Sequence, residues 1–212
     1  MKNLKNFIPL IIDVIVTGIV LIVYGVTEKN QEILTYVQIL VAPVLLSIAT
    51  ILIHLKIVHI PLIALYLMMV HLILALDLGG AFNFYDRIPS WDMILHGYFG
   101  FFFSVIVAFV LLNFGGEHLN KAVFLILIFF ITMGAAGLWE IYEFTLDSLF
   151  GTDSQRVEES IALGLSPLHD TMMDIIIAIA GIVAFYIGIG IDKLFGFRYS
   201  KKLFLEIKNH QE

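Results

Sequence analysis

Long apolar runs alternate with short polar breaks along this chain, at 7–26, 33–53, 58–76, 91–112, 122–147 and 170–191. Each has the roughly 17–25 residues that a helix needs to cross a bilayer. A hydrocarbon core offers no water to unpaired backbone groups, so runs of this length are expected as helices. The pattern predicts an all-α polytopic bundle of six transmembrane helices forming one domain over 1–212. It shows no soluble domain, no repeat of solenoid period and no low-complexity tract. Lys2 and Lys5 precede the first run as in a secretory signal. That run is too long for an ordinary signal core, and no small-residue cleavage motif follows it, so a retained anchor is expected.

Composition agrees. The chain is 60% hydrophobic and 14% charged, against about 45–50% and about 25% for a soluble domain. It has no cysteine, which excludes disulfides, thiolate ligands and a cysteine nucleophile. A formal charge of −6 without a basic stripe excludes nucleic acid as a partner.

Basic residues set the expected orientation. With six spans, Lys2, Lys5, Lys56, Lys121, Lys193, Arg198, Lys201, Lys202 and Lys208 share a side, nine of the twelve in the chain. Lys29, Arg87 and Arg156 face the other way. The positive-inside rule then makes both termini cytoplasmic, in the cell (inner) membrane. On this topology Asp77 ends the third helix at the outer side, and Asp13 sits near the inner end of its own helix, far from the other acids.

The acidic and imidazole side chains gather at the outer ends of helices three to six. Asp92 and His96 stand four apart, as do Asp170 and Asp174. Glu140, Glu143 and Asp147 follow a three-then-four step. Such spacing stacks side chains on one helical stripe. A charge at membrane depth costs roughly 2.5–3.5 kcal/mol even on translocon scales, which makes function the default explanation.

Each group also has a structural explanation. Asp92 at a helix entry favours the positive dipole end, and His96 can be a satisfied buried imidazole. Solvated headgroups would accommodate Asp147, but not Glu140. Asp170 fits an N-cap, which leaves Asp174 unexplained. The acidic stripe repels itself and calls for a cation, shared protons or basic partners. The loop 151–167, with Asp153, Gln155, Arg156, Glu158 and Glu159, is expected to cap the pocket. Gly79-Gly80 with Asn83, Tyr85 and Asp86 marks an irregular segment facing it, and His71 can line its floor. Ser166 with His169 is a commonplace turn, and His54, His59 and His118 are cytoplasmic surface.

As an ordered set, Asp92 with His96 and Gly100, Trp139-Glu-x-x-Glu143 and Asp170-Thr-x-x-Asp174 resembles the YjdF-like family of bacterial inner-membrane proteins. It is more distantly similar to VanZ-like proteins, which share a helix-entry aspartate and histidine. The resemblance covers residues 60–192, and it implies a polytopic fold with a functional acidic motif set but no particular reaction. Over the first two helices the match is topological.

The donor set predicts a divalent metal ion held by His96, Glu140, Asp170 and Asp174, with Asp92 as a further ligand or orienting group. Oxygen donors suit Mg²⁺, Mn²⁺ or Ca²⁺, and two imidazoles also admit Zn²⁺ or Fe²⁺; with both His96 and His169 available, Zn²⁺ is the expected ion. Glu143, with Glu140 and Asp92, is the expected catalytic set, and Glu143 the proton-transfer group. The expected function is a metal-dependent hydrolase or transferase acting on a membrane lipid or lipid-linked headgroup. Two alternatives stand beside it: an ion- or proton-coupled transporter, and a non-enzymatic lipid- or precursor-binding resistance or sensor protein. No zinc-protease helix, phosphate-binding glycine loop or serine elbow is present.

Overall fold

The computed structural model describes residues 2–27, 33–88 and 90–196. Lys29, Arg198, Lys201, Lys202 and Lys208, which contribute to the expected orientation, lie outside the described residues. Among the described residues eight α-helices follow one another: α1 Ile8–Thr27, α2 Ile33–His54, α3 Leu62–Leu72, α4 Phe84–Arg87, α5 Trp91–Asn113, α6 Lys121–Phe150, α7 Val157–Ala162 and α8 His169–Leu194. A 3₁₀ turn, Lys2–Phe7, leads into α1, and α3 widens without a break into a π-helical segment, Ile73–Ala81. Six helices are long and apolar enough to cross a membrane. Their outward faces carry exposed Ile15, Ile22, Phe130, Leu138 and Phe144, as lipid-facing surfaces require.

The third span departs from its expected limits of 58–76. Pro61, in extended conformation at φ −66° and ψ 149°, caps the helix, so it begins at Leu62. At its other end the helix continues through Gly79 and Gly80 to Ala81, because widening to π geometry accommodates the two glycines without a break. A Cβ on Gly79 would lie 2.5 Å from the Tyr85 ring, so the missing side chain is what lets Tyr85 fold back onto the helix. Asp77 accordingly does not end the helix at a surface. It is fully buried inside it.

The bundle has two lobes joined by α3 against α5. In the first, α1, α2 and the π-helical segment pack around Ile39, Val20, Tyr24 and Ala81. The second holds α5, α6 and α8 around Ile128, Val107 and Phe185. Its tightest seam is α5 on α8. A Cβ on Gly100 would fall on the Ala178 carbonyl, and one on Gly181 would fall on the Gly97 carbonyl. Small residues facing one another let two backbones approach this closely, which is how membrane helices gain packing without a hydrophobic drive. Buried polar contacts hold the third member: Ser104 Oγ lies 3.4 Å from Thr132 Oγ1, and the Tyr186 hydroxyl donates to the Leu125 carbonyl at 2.6 Å.

Candidate functional site

The Gly97–Gly100 and Ala178–Gly181 seam fixes more than packing. Because α5 and α8 both start at the same end and touch backbone to backbone, their second turns lie side by side. His96 is therefore delivered to Asp174. His96 Nε2 lies 3.9 Å from Asp174 Oδ2 and 3.4 Å from Asp92 Oδ1, one turn below it on α5. Glu140 approaches the other ring nitrogen, with Oε1 3.9 Å from Nδ1. His96, Glu140 and Asp174 are all buried. The positive dipole ends of α5 and α8 both point at this group, which favours carboxylates there.

The donors do not satisfy one another. Both oxygens of Glu140, both of Asp174 and Oδ2 of Asp170 are buried without a hydrogen-bond partner. Unpaired buried polar atoms cost about 1–3 kcal/mol each, more when charged, so such a set needs a guest or protons. One ligand atom from each of Asp92, His96 and Asp174 lies within 4.8 Å of the others. Tetrahedral coordination at 2.0–2.2 Å needs donors about 3.4 Å apart, a contraction within the reach of side-chain rotation. The set fits one cation on the Nε2 side, with Glu140 3.9 Å from Nδ1, where a small side-chain rotation would make it an orienting carboxylate.

Several expected site residues stand elsewhere. His169 is exposed and does not join the cluster, because it opens α8 on the solvent side. Asp170 is not the N-cap: Leu168 holds that position, and Asp170 sits within the first turn, partly buried and one turn outside Asp174. Glu140, expected as a ligand, faces the ring nitrogen opposite to the one shared by Asp92 and Asp174. Glu143 accepts a hydrogen bond from its own helix, from Trp139 Nε1 at 2.9 Å, and lines the polar cavity. Asp147 leaves the acidic stripe for a structural task. Its carboxylate accepts from Thr152 Oγ1 at 2.6 Å, Ser154 N at 2.7 Å and Gln155 N at 3.0 Å, folding the 151–156 loop onto α6.

Two residues outside the membrane-length helices complete the site. Tyr85 of α4 lines a cavity with Asp92 and Glu143, and burial pushes its phenol far above the usual value, so it stays neutral. Arg156 reaches the same space. Its Nη1 donates to the Tyr85 carbonyl at 2.9 Å and its Nε to Glu159 at 2.6 Å, with Asp86 4.0 Å away. Burial opposes the guanidinium charge, but the Glu159 hydrogen bond and neighbouring carboxylates outweigh it and raise its pKa. Ser166 and His169 form only an exposed turn, in which Ser166 Oγ accepts from Leu168 N.

Two cavities meet at the cluster. One, of about 290 Å³, is polar and lined by Tyr85, Asp92, Glu143, Asp153 and Arg156. The other, of about 280 Å³, is apolar, with Leu72, Phe99, Phe102 and Ile106 in its wall and His96 and Asp92 at its polar end. His71 lines this apolar cavity and not the one with Glu143 and Asp153, stacked on Tyr98 with ring centroids 5.8 Å apart. Ala75, Leu76, Tyr85, Asp92 and Trp139 belong to both walls.

An all-helical bundle with six membrane-length helices and a buried Asp/His cluster near one end defines a multi-pass membrane protein. Within that class the chain belongs to the family described as predicted membrane protein (DUF2238), whose model matches residues 9–192. The match takes in α1 and α2 as well as the motif-bearing helices, so the first lobe shares the family with the rest. It accords with the membrane family that the motifs of α5, α6 and α8 resemble. No curated protein and no solved structure matches the chain.

Proposed function

We propose that this protein is a membrane hydrolase or transferase that uses a divalent cation to act on the headgroup of a lipid or lipid-linked substrate. The observation that carries this reading is the His96 clasp at the junction of a polar and an apolar cavity. An amphiphile placed there would put its tail among Phe99, Phe102 and Ile106 and its headgroup beside Asp92 and Arg156. One imidazole with two carboxylates admits Zn²⁺, Mn²⁺ or Mg²⁺; with His169 outside the cluster, the ground for preferring zinc is gone.

A divalent ion in this position supplies Lewis acidity toward an ester or phosphoryl oxygen and acidifies water. Asp92, His96 and Asp174 would bind it, and Glu140 would fix the imidazole tautomer. Glu143, oriented by Trp139 within the polar cavity, takes up the proton released when water or an acceptor hydroxyl attacks. Arg156 offers an anionic headgroup the one charge that the carboxylates do not. The basic-residue asymmetry supports cytoplasmic termini and hence an extracytoplasmic pocket in the cell membrane.

The test is release of headgroups from total membrane lipid by the purified, reconstituted protein. Turnover that needs a divalent ion and is lost in Glu143→Gln is the expected result. Equal release with and without chelator, or none with any lipid class, would refute the reading. Ion uptake into the same vesicles would favour transport.

A further inference from the structure

A second group of buried oxygens lies in the other lobe, apart from the His96 cluster. Asp13 of α1 and Asp77 of the π-helical segment are each fully buried, and none of their four carboxylate oxygens has a hydrogen-bond partner. The two are electrostatic neighbours across the α1 interface with that segment. Sequence position suggested the reverse, with Asp77 at the outer surface and Asp13 isolated near the inner one. Both carboxylates are instead fully buried, on elements that pack against each other.

Thr17 supplies an independent sign. It stands one turn from Asp13 on the buried stripe Pro9, Asp13, Thr17, Val20 and Tyr24. Thr27, Thr50 and Thr145 each donate to the carbonyl four residues back, at 2.8, 2.8 and 2.7 Å. Thr17 does not; its Oγ1 is buried and unpartnered on the same buried stripe as Asp13. A helical threonine that forgoes this bond gives up the usual way of satisfying its hydroxyl. The π-helix adds a further signal, since such segments recur at functional sites.

Among the described residues, α1, α2 and the π-helical segment carry no fixed positive charge to balance the pair. Asp13 is the only charged residue of α1, α2 has none beyond His54 at its end, and His71 faces the α5 aromatics. Two carboxylates without a base cannot both stay ionised in this setting unless a cation joins them. We infer that Asp13, Thr17 and Asp77 form a second, intramembrane site for a single hard cation. Its donors are all oxygen, the choice of alkali and alkaline-earth ions over zinc or iron.

The experiment titrates Na⁺, Mg²⁺ and Ca²⁺ chlorides separately into the detergent-purified full chain, reading calorimetric binding and thermal unfolding. The site predicts that one of them binds and raises the unfolding midpoint, and that Asp13→Asn and Asp77→Asn each weaken binding roughly 10- to 100-fold. Thr17→Val, which removes one hydroxyl at constant shape, weakens it by a smaller factor. His96→Ala leaves this binding intact, which separates the site from the one near α5 and α8. With His96→Ala as the background, absence of binding by all three ions overturns the inference, as does binding that survives both aspartate changes. Should the asparagine variants not fold, unchanged affinity in Thr17→Val refutes it and weakened affinity supports it.

Discussion

Gly100 of α5 lies against the carbonyl of Ala178 on α8 so closely that no other residue fits at that position. Four residues before each partner stand His96 and Asp174, and their 3.9 Å approach follows from this contact. Gly100→Ala is expected to lower the unfolding midpoint, with overpacking costing about 1–3 kcal/mol, and to reduce metal content with it. Gly134 and Gly137 of α6 have open space around them. Alanine there is expected to be neutral or to stabilise by about 0.5–1 kcal/mol. Thermal unfolding of the three variants in one detergent checks the contrast.

Asp147 and Glu140 belong to one sequence motif but to different tasks. Asp147→Ala removes the acceptor for Thr152, Ser154 and Gln155. It should cost about 1–3 kcal/mol and speed proteolysis of the 151–156 loop while leaving bound metal unchanged. Glu140→Gln should do the opposite, sparing the loop and weakening metal binding roughly 10- to 100-fold as the loss of an orienting carboxylate does. Limited proteolysis paired with metal analysis separates the two.

Arg156 keeps its charge across the neutral range, since its pKa is raised by Glu159 and nearby carboxylates. Arg156→Ala is therefore expected to raise KM for an anionic headgroup by roughly 10- to 100-fold, by the same factor at every neutral pH. Kinetics at several pH values test this; a factor that varies with pH would point to another group.

Tyr85 is a neutral donor because burial pushes its phenol up. Tyr85→Phe preserves the ring that fills the space above Gly79 and removes only the hydroxyl. Stability should change by less than about 1.5 kcal/mol, with turnover reduced and metal content unaltered. Unfolding and turnover measured on the same preparation decide it.

Much of this was legible in the chain because apolar length fixes spans and four-residue spacing fixes stripes. Asp92, His96 and Asp174 were found that way. Spacing reports which face of its own helix a residue occupies, and is silent on the neighbour it meets. Glu140 was thus expected beside a metal, but meets the far side of the imidazole. His169 was assigned inward from a helix start that lies at the surface, whereas Asp170 is partly buried, with Oδ2 unpartnered one turn outside Asp174. Hydropathy cannot show a change from α to π winding, and so Asp77 and Asp13 were read as unrelated. Tyr85 and Arg156 were expected at the pocket from an irregular segment and a capping loop, and both line a cavity there; the left-handed turns at Asn83, φ 55°, and Arg156, φ 47°, that place them are marked by no periodicity.

Metal content of the detergent-purified chain tests the cation clasp most directly. Elemental analysis is predicted to find divalent metal bound in the unmodified protein and in Glu143→Gln. The same analysis should find one equivalent less in His96→Ala and Asp174→Asn. Metal-free unmodified protein that still resists loss of structure in chelator, or equal metal in all four proteins, would contradict the account.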